Sequence, residues 1–299
     1  MIFLNEYLRP HSHVSQLGFD INSNTLIPYE YLDSKQFILF RTCHSYGDWV
    51  ILSAMPRLLK QKYPDCTVII PSPECIARYF SPNQWLNKHE NPFNNVIEIF
   101  MNNPYVDGMI DFIPEDMPVY HDHFRIYDKD TPDIPLVKQM LKFWRFEEDE
   151  MNDCEPELYW TEQEKSEGNL IINKLFGTNN FGFLYIDDSF FYSINMKEDD
   201  IQRRRDLIQK EMYNHNLPWI YFSGGVDFNY QTENKIVDAK KIKMTLRVQN
   251  YVKSKATVII GHQGGYGTDC MSRYSNCYVV PLHSNALNEH IQLKTTYLC

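Results

Sequence analysis

The sequence predicts an α/β protein built from two parallel-sheet halves, and three observations predict it. Short continuous apolar runs recur along the 299 residues, the pattern of strands buried on both faces. Segments with helical spacing of apolar residues separate them. The alternation stops at an acidic stretch, Glu147 to Glu157, and then restarts.

The first half opens after a polar lead-in, residues 1–35, punctuated by Pro10, Gly18 and Pro28 and expected to be irregular. Gln36-Phe-Ile-Leu-Phe40 is the first expected strand. A turn from Arg41 to Asp48 follows, then a helix over Trp49–Tyr63 with Ile51, Leu52, Met55, Leu58 and Leu59 on one side, stopped by Pro64. Cys66-Thr-Val-Ile-Ile70 is the next strand, closed by Pro71, so strand, helix and strand make a βαβ unit with an expected right-handed crossover. Val96-Ile-Glu-Ile-Phe100 and Gly108-Met-Ile-Asp-Phe-Ile113 read as further strands, and a helix is expected near Leu136–Trp144.

In the second half, Thr161 and Glu164 have the spacing of a capping box, in which each side chain satisfies an orphan amide at a helix start. That helix is expected to run to Phe176, with Gly177 just past its end. Strands follow at Phe181–Ile186, Trp219–Phe222, Thr257–Ile260 and Tyr278–Val280, with helices at Glu198–Tyr213 and Leu246–Lys253. The expected organisation is a lead-in 1–35, domains 36–157 and 158–285, and a tail 286–299.

Composition narrows the function classes. Hydrophobic residues make up 43% and charged residues 23%, a globular balance. The net charge of −10 repels a phosphate backbone and argues against nucleic acid as a partner. The seven cysteines are odd in number and form no C-x-x-C pair, which favours reduced thiols over a disulfide framework or zinc knuckle. No secretory signal is evident, and no apolar run approaches the about 20 residues needed to cross a bilayer. A soluble cytoplasmic protein is expected; its oligomeric state is not legible in the sequence.

Three segments in chain order resemble the heptosyltransferase family. The first is Phe40-Arg-Thr-Cys-His-Ser-Tyr-Gly-Asp48, followed by Pro56, Leu58, Leu59, Lys60 and Tyr63-Pro64-Asp65. The second is Asn103-Pro-Tyr-Val-Asp107. The third is the helix–strand–glycine turn–helix–strand series from Leu246 to Leu282, and Tyr221-Phe-Ser-Gly-Gly225 looks like the family's strand before a glycine pair. The resemblance implies two Rossmann-like domains in the GT-B architecture, their parallel sheets facing across a cleft. It further implies acceptor binding by the first domain and nucleotide-sugar binding by the second. The donor turn departs from the family's Asp-Ser-Gly-Pro phrase with a trailing His, reading Gly261-His-Gln-Gly-Gly-Tyr-Gly-Thr-Asp269, which leaves the donor's identity open.

Inverting sugar transfer needs a base to take the acceptor hydroxyl's proton, and a carboxylate within hydrogen-bond reach serves. Read from the residues alone Asp48 is an ordinary helix N-cap; the resemblance makes it correspond to the family's base. His44 is the second candidate base. Arg41, Ser45 and Gly47 belong to the same turn and are acceptor-side candidates, Arg41 facing either an anionic acceptor or a buried carboxylate. On the donor side, Gln263, Gly264, Gly265, Tyr266, Gly267 and Thr268 form a strand-to-helix turn whose amides and helix dipole suit a diphosphate. The plain alternative is a tight turn capped by Thr268 or Asp269. Ser223, Gly224 and Gly225 either approach the nucleotide or form a plain strand-end turn, and Lys197, which read alone is a solvated loop lysine, corresponds under the resemblance to the family's diphosphate-neutralising lysine.

No metal and no cofactor are expected beyond a nucleotide-diphosphate sugar as co-substrate. Asp187-Asp188 and Asp199-Asp200 read as the acidic pairs common near helix starts, where the resemblance implies no metal, and His11/His13 and His121/His123 read as surface histidines with no third ligand in view. The expected activity is a glycosyltransferase acting on a glycan acceptor. A degenerate nucleotide- or glycan-binding module, and a sugar-nucleotide epimerase or pyruvyl transferase of similar architecture, are the competing classes.

Overall fold

The computed structural model describes residues 2–4, 36–39, 46–79, 94–111, 138, 141, 145–186, 197–223, 230–262, 271–280 and 295–298. The chain divides into two compact units, Met1–Cys154 and Glu155–Cys299.

The first unit is a four-stranded parallel sheet in the order β1 (Ile2–Leu4), β2 (Gln36–Leu39), β3 (Thr67–Pro71), β4 (Gly108–Ile110). Part of the lead-in is therefore a strand: Ile2, Phe3 and Leu4 pair with Phe37, Ile38 and Leu39. Three residues at a sheet edge carry too little periodicity to stand out beside the polar residues after them.

The single helix expected over 49–63 is two. Helix α1 (Tyr46–Val50) gives way to turns at 51–54, and α2 (Met55–Lys62) starts afresh with Pro56 in its first turn. Proline has no amide to donate and its ring clashes with the carbonyl four residues back, so it belongs where a helix begins. The break is stitched by amides of Leu52 and Ser53 donating three residues back, at 3.0 Å each. The Asn103 amide group donates to the Ser53 carbonyl at 3.4 Å. The core of this unit collects Phe37, Leu39, Trp49, Leu59, Val68 and Ile70, all fully buried. Each such side chain contributes about 1.5–3 kcal/mol relative to exposure.

Val96–Phe100 is a helix, not a strand: α4 spans Asn95–Phe100, and α3 (Pro73–Tyr79) precedes it. Val96, Ile99 and Phe100 are the buried positions, the i, i+3, i+4 spacing of a helix face. Phe100 meets Trp49 edge-on with ring centroids 6.5 Å apart. The strand expected over 108–113 covers Gly108–Ile110, with 112–113 outside the described residues. Of the helix expected at 136–144, Lys138 and Leu141 are described and helical.

The second unit begins with α5 (Glu162–Phe176), where Thr161 and Glu164 close the capping box and Gly177 ends the helix at φ 70°. Its six-stranded parallel sheet contains β5 (Gly182–Ile186), β6 (Trp219–Ser223), β7 (Ile236–Asp238), β8 (Val258–His262), β9 (Asn276–Val280) and β10 (Thr295–Tyr297), in the order β10-β9-β8-β5-β6-β7. The tail thus carries an edge strand, Thr295–Tyr297 alongside Cys277–Val279. Helix α6 (Glu198–His215) lays Ile208 and Met212 over Leu184, Ile186, Val258, Ile260 and Val280. Helix α7 (Leu246–Ser254) packs against α5, where Gly168 leaves room for the Tyr251 ring.

Candidate functional site

Counting outward from β5 in the second unit, two strands (β6, β7) lie on one side and three (β8, β9, β10) on the other, the doubly wound arrangement. The chain reverses direction of growth between β5 and β8. Ligands of open parallel sheets bind at the carboxyl ends of the strands beside such a switch point. Here those ends are Ile186 on β5 and His262 on β8, with Ser223 at the end of the neighbouring β6.

The backbone approach at the switch point is unusually close. Gly261 pairs with Tyr185, and a Cβ at 261 would stand 2.2 Å from the Tyr185 carbonyl oxygen. His262 follows it, the last residue of β8, buried at 1% exposure. Tyr185 stacks on Phe222 of β6 at 5.8 Å and 4° between planes. Lys253 of α7 is fully buried with its ammonium 5.2 Å from the Phe183 ring centre and 5.9 Å from that of Tyr185. Gly261, His262 and this aromatic–lysine layer are absent from the sequence-based candidates. The pair Gly261-His262 directly after Val258-Ile-Ile260 was the available signal, since a glycine inside an apolar strand marks close backbone approach.

Of the candidates in the second unit, Ser223 and Lys197 are among the described residues. Ser223 ends β6 and is 4% exposed. Lys197 is the N-cap residue of α6, exposed, and its side chain makes no capping bond. Glu198, Asp199 and Asp200 occupy the first turn of that helix, so its positive end already faces three carboxylates. An added anion there meets Lys197 as the nearby cation. Gly224, Gly225, Gln263, Gly264, Gly265, Tyr266, Gly267 and Thr268 lie outside the described residues.

In the first unit, Gly47 and Asp48 lie in α1, at the carboxyl end of β2. Asp48 is the third residue of that helix, not its N-cap, so the cap alternative weighed for it does not hold. Its side chain, with Arg41, His44 and Ser45, lies outside the described residues. Gly47 is half-buried, and its carbonyl accepts from the Ile51 amide at 3.3 Å.

The Asn103–Asp107 phrase sits at the opposite edge of that sheet, where strands begin. Asp107 accepts from Lys60 Nζ at 2.8 Å and from the Val68 amide at 2.7 Å, while its own amide donates to the Val68 carbonyl at 2.8 Å. Burial pushes the Asp107 carboxyl up, but the Lys60 and Val68 hydrogen bonds and the lysine charge outweigh it and hold the pKa below its ordinary value. Asn103 accepts from the Tyr105 amide at 2.9 Å and caps the turn. This phrase is a brace between β3, β4 and α2.

The segment on either side of Cys154 is fastened to its own unit. Arg57 donates to the Asp153 carbonyl at 2.6 Å, and Lys62 pairs with Glu150. In the second unit, Tyr274 Oη accepts from the Leu158 amide at 2.9 Å, and Arg247 Nε donates to Glu164 at 2.5 Å. Among the described residues no group of three His, Cys, Asp or Glu side chains is arranged to hold a metal ion, and no helix is long and apolar enough to cross a membrane.

No protein-family model matches the sequence, and no curated protein matches it. Solved structures do. A glycosyl transferase family 9 protein from Veillonella parvula is similar over 88% of this chain and 85% of its own, with TM-score 0.51 and 8% identity. The fold is that of a family 9 glycosyltransferase. The E. coli ADP-heptose lps heptosyltransferase II is similar over 88% and 89%, with TM-score 0.47 and 10% identity.

Proposed function

We propose that this chain is a glycosyltransferase that moves a sugar from a nucleotide-diphosphate sugar to a hydroxyl of a glycan acceptor in the cytoplasm, with inversion and without a metal. The observation that carries the reading is the second sheet's switch point between β5 and β8, with the glycine-rich sequence 263–268 directly after β8. Strand-end amides next to a helix start suit a diphosphate. The family 9 fold, with its two α/β units, supports the same reading.

In this proposal the nucleotide diphosphate lies against Gln263, Gly264, Gly265, Tyr266, Gly267 and Thr268, with Ser223, Gly224 and Gly225 beside the nucleoside. The acceptor lies by Arg41, Ser45 and Gly47. Asp48 takes the proton of the acceptor hydroxyl as that oxygen attacks the anomeric carbon, with His44 as the second candidate. The bond from the anomeric carbon to the diphosphate oxygen breaks, and the nucleoside diphosphate leaves. Lys197 meets the charge developing on it, an electrostatic contribution that grows toward the transition state.

The test is a thermal-shift panel of ADP-, GDP-, UDP-, CMP- and dTDP-sugars, followed by turnover with the selected donor. Ligand at about 100 times its dissociation constant stabilises the fold by about 2.7 kcal/mol. A selective shift, with nucleotide release that Asp48→Asn abolishes while sparing donor binding, supports the proposal. The departure of the turn at Gly261–Asp269 from the family phrase favours one competing reading, a binding module without catalysis. Donor binding with no nucleotide release under any acceptor selects that module, and no shift with any donor argues against a donor site altogether.

A further inference from the structure

The second unit has a cleft at the edge of its sheet opposite the strand ends discussed above. It lies between the carboxyl-terminal turn of α6 and the segment entering β7, encloses about 300 Å³, and is lined by Tyr213, Asn216, Gln231, Thr232, Glu233 and Asn234. The volume falls at the lower end of small-molecule sites, about 300–1,000 Å³.

Three properties of the lining restrict what fits. Tyr213 leaves 58% of its surface in solvent, one of few large apolar-bodied side chains among the described residues to do so. Such a ring offers an aromatic face to C–H groups and a hydroxyl to polar ones. Next, the polar groups are held in place. Asn216 ends α6 in the left-handed conformation, φ 43° and ψ 49°, and its Oδ1 accepts from Asn234 Nδ2 at 2.8 Å. Gln209 clamps the backbone of Gln231 on both sides, donating to its carbonyl at 2.8 Å and accepting from its amide at 2.6 Å. Thr232 Oγ1 accepts from the Asn234 amide at 3.0 Å.

These bonds leave valences open. The Asn216 side-chain amide keeps both N–H donors, Asn234 keeps its side-chain carbonyl, and the side chains of Gln231 and Glu233 have no partner among the described residues. The third property is charge: the lining contains a carboxylate and no cation. Lys235, next in the chain, donates to the Leu175 carbonyl at 2.6 Å and lies over the Phe176 ring. A phosphate-bearing ligand has nothing here to neutralise it.

An exposed aromatic ring beside fixed amides and a carboxylate, without cations, matches a ligand with apolar C–H faces and many neutral hydroxyls. We infer that this cleft is a saccharide-binding site, separate from the strand-end site and able to hold a neutral glycan segment. The inference does not depend on whether the strand-end site transfers a sugar.

The test is saturation-transfer-difference NMR of the full chain with cellohexaose, maltohexaose, chitohexaose and mannohexaose. The expected result is transfer to at least one of the four, with affinity falling at least ten-fold in Tyr213→Ala and in Asn216→Ala, retained in Tyr213→Phe, and unchanged in Lys197→Ala. Both alanine variants sit at exposed positions, and a cooperative thermal transition with the wild-type circular-dichroism spectrum verifies their folding; Asn216→Ala is expected to melt somewhat lower, because it puts alanine in a left-handed conformation. No transfer to any of the four overturns the inference. So does transfer indifferent to both alanine variants, and so does transfer abolished by a saturating nucleotide sugar, which places the saccharide at the strand ends. Donor thermal shifts report separately on the proposed transferase, so either reading can fail alone.

Discussion

Gly261 and Tyr185 face each other across β8 and β5 with no space for a side chain at 261: a Cβ there would lie 2.2 Å from the Tyr185 carbonyl oxygen. The obstruction is backbone, so no rotamer change relieves it. Gly261→Ala must push the two central strands apart where the doubly wound sheet reverses. Overpacking of this kind costs about 1–3 kcal/mol. The expected outcome is a lower urea midpoint, together with loss of the donor thermal shift. A variant with wild-type stability would show that the strands yield more readily than their pairing indicates.

The Arg247–Glu164 pair sets a pH dependence for the second unit. Burial pushes the Glu164 carboxyl up, but hydrogen bonds from Arg247 and the Thr161 amide outweigh it and hold the pKa below the ordinary 4.5. A carboxyl depressed in the folded state stabilises above its unfolded pKa, and that contribution is lost as pH falls through the folded value. Stability measured by urea unfolding is expected to fall below pH 4.5, and Glu164→Gln is expected to flatten that fall. At pH 7, Glu164→Ala leaves a 5%-exposed arginine without its carboxylate and costs about 3–5 kcal/mol. Equal acid sensitivity in wild type and Glu164→Gln would assign the pH dependence to other groups.

Asp107 separates a brace from a site. Its carboxylate serves Lys60 and the Val68 amide at the edge of the first sheet where strands begin. Asp107→Asn keeps the shape but loses the charge and turns one acceptor into a donor facing Lys60. A destabilisation of about 1–3 kcal/mol is expected, with the donor dissociation constant and the acceptor Michaelis constant unchanged. A ten-fold change in either constant at unchanged stability would place this phrase in the binding machinery.

These residues also show what the sequence makes legible. Strands β2, β3, β5, β6 and β8 are continuous apolar runs because parallel strands are buried on both faces, and they stand out on that ground alone. The Thr161–Glu164 box is local chemistry and equally visible. Val96–Phe100 misleads because Val-Ile-Glu-Ile-Phe fits both periods, and only the burial of Val96, Ile99 and Phe100 together selects the helix. Strands β1, β7 and β10 are three residues each at or near sheet edges, too short to carry a period. Arg247–Glu164 spans 83 positions and Gly261–Tyr185 depends on strand order, so neither is written in any local spacing. Ser223 could be placed by its strand end; Gly261, His262 and Lys253 beside the switch point could not.

Lys197 tests the electrostatics of the proposed donor site. It occupies the N-cap position of α6, whose first turn carries Glu198, Asp199 and Asp200, and α6 lies over β5, β8 and β9 with its start toward the strand ends. In the proposed site a diphosphate approaching that edge would meet three carboxylates that oppose the helix dipole, and Lys197 is the cation expected to favour its approach. A hydrogen bond to a charged partner is worth about 1.5–3 kcal/mol. Lys197→Ala is expected to weaken donor binding about ten-fold or more, measured by calorimetric titration with the nucleotide sugar selected by thermal shift. Lys197→Arg retains the charge and should recover most of the affinity. The loss in turnover should exceed the loss in binding, because charge on the leaving diphosphate grows toward the transition state. If Lys197→Ala binds donor as tightly as wild type while Gly265→Ala does not, the diphosphate rests on the turn amides alone and α6 has no part in holding it.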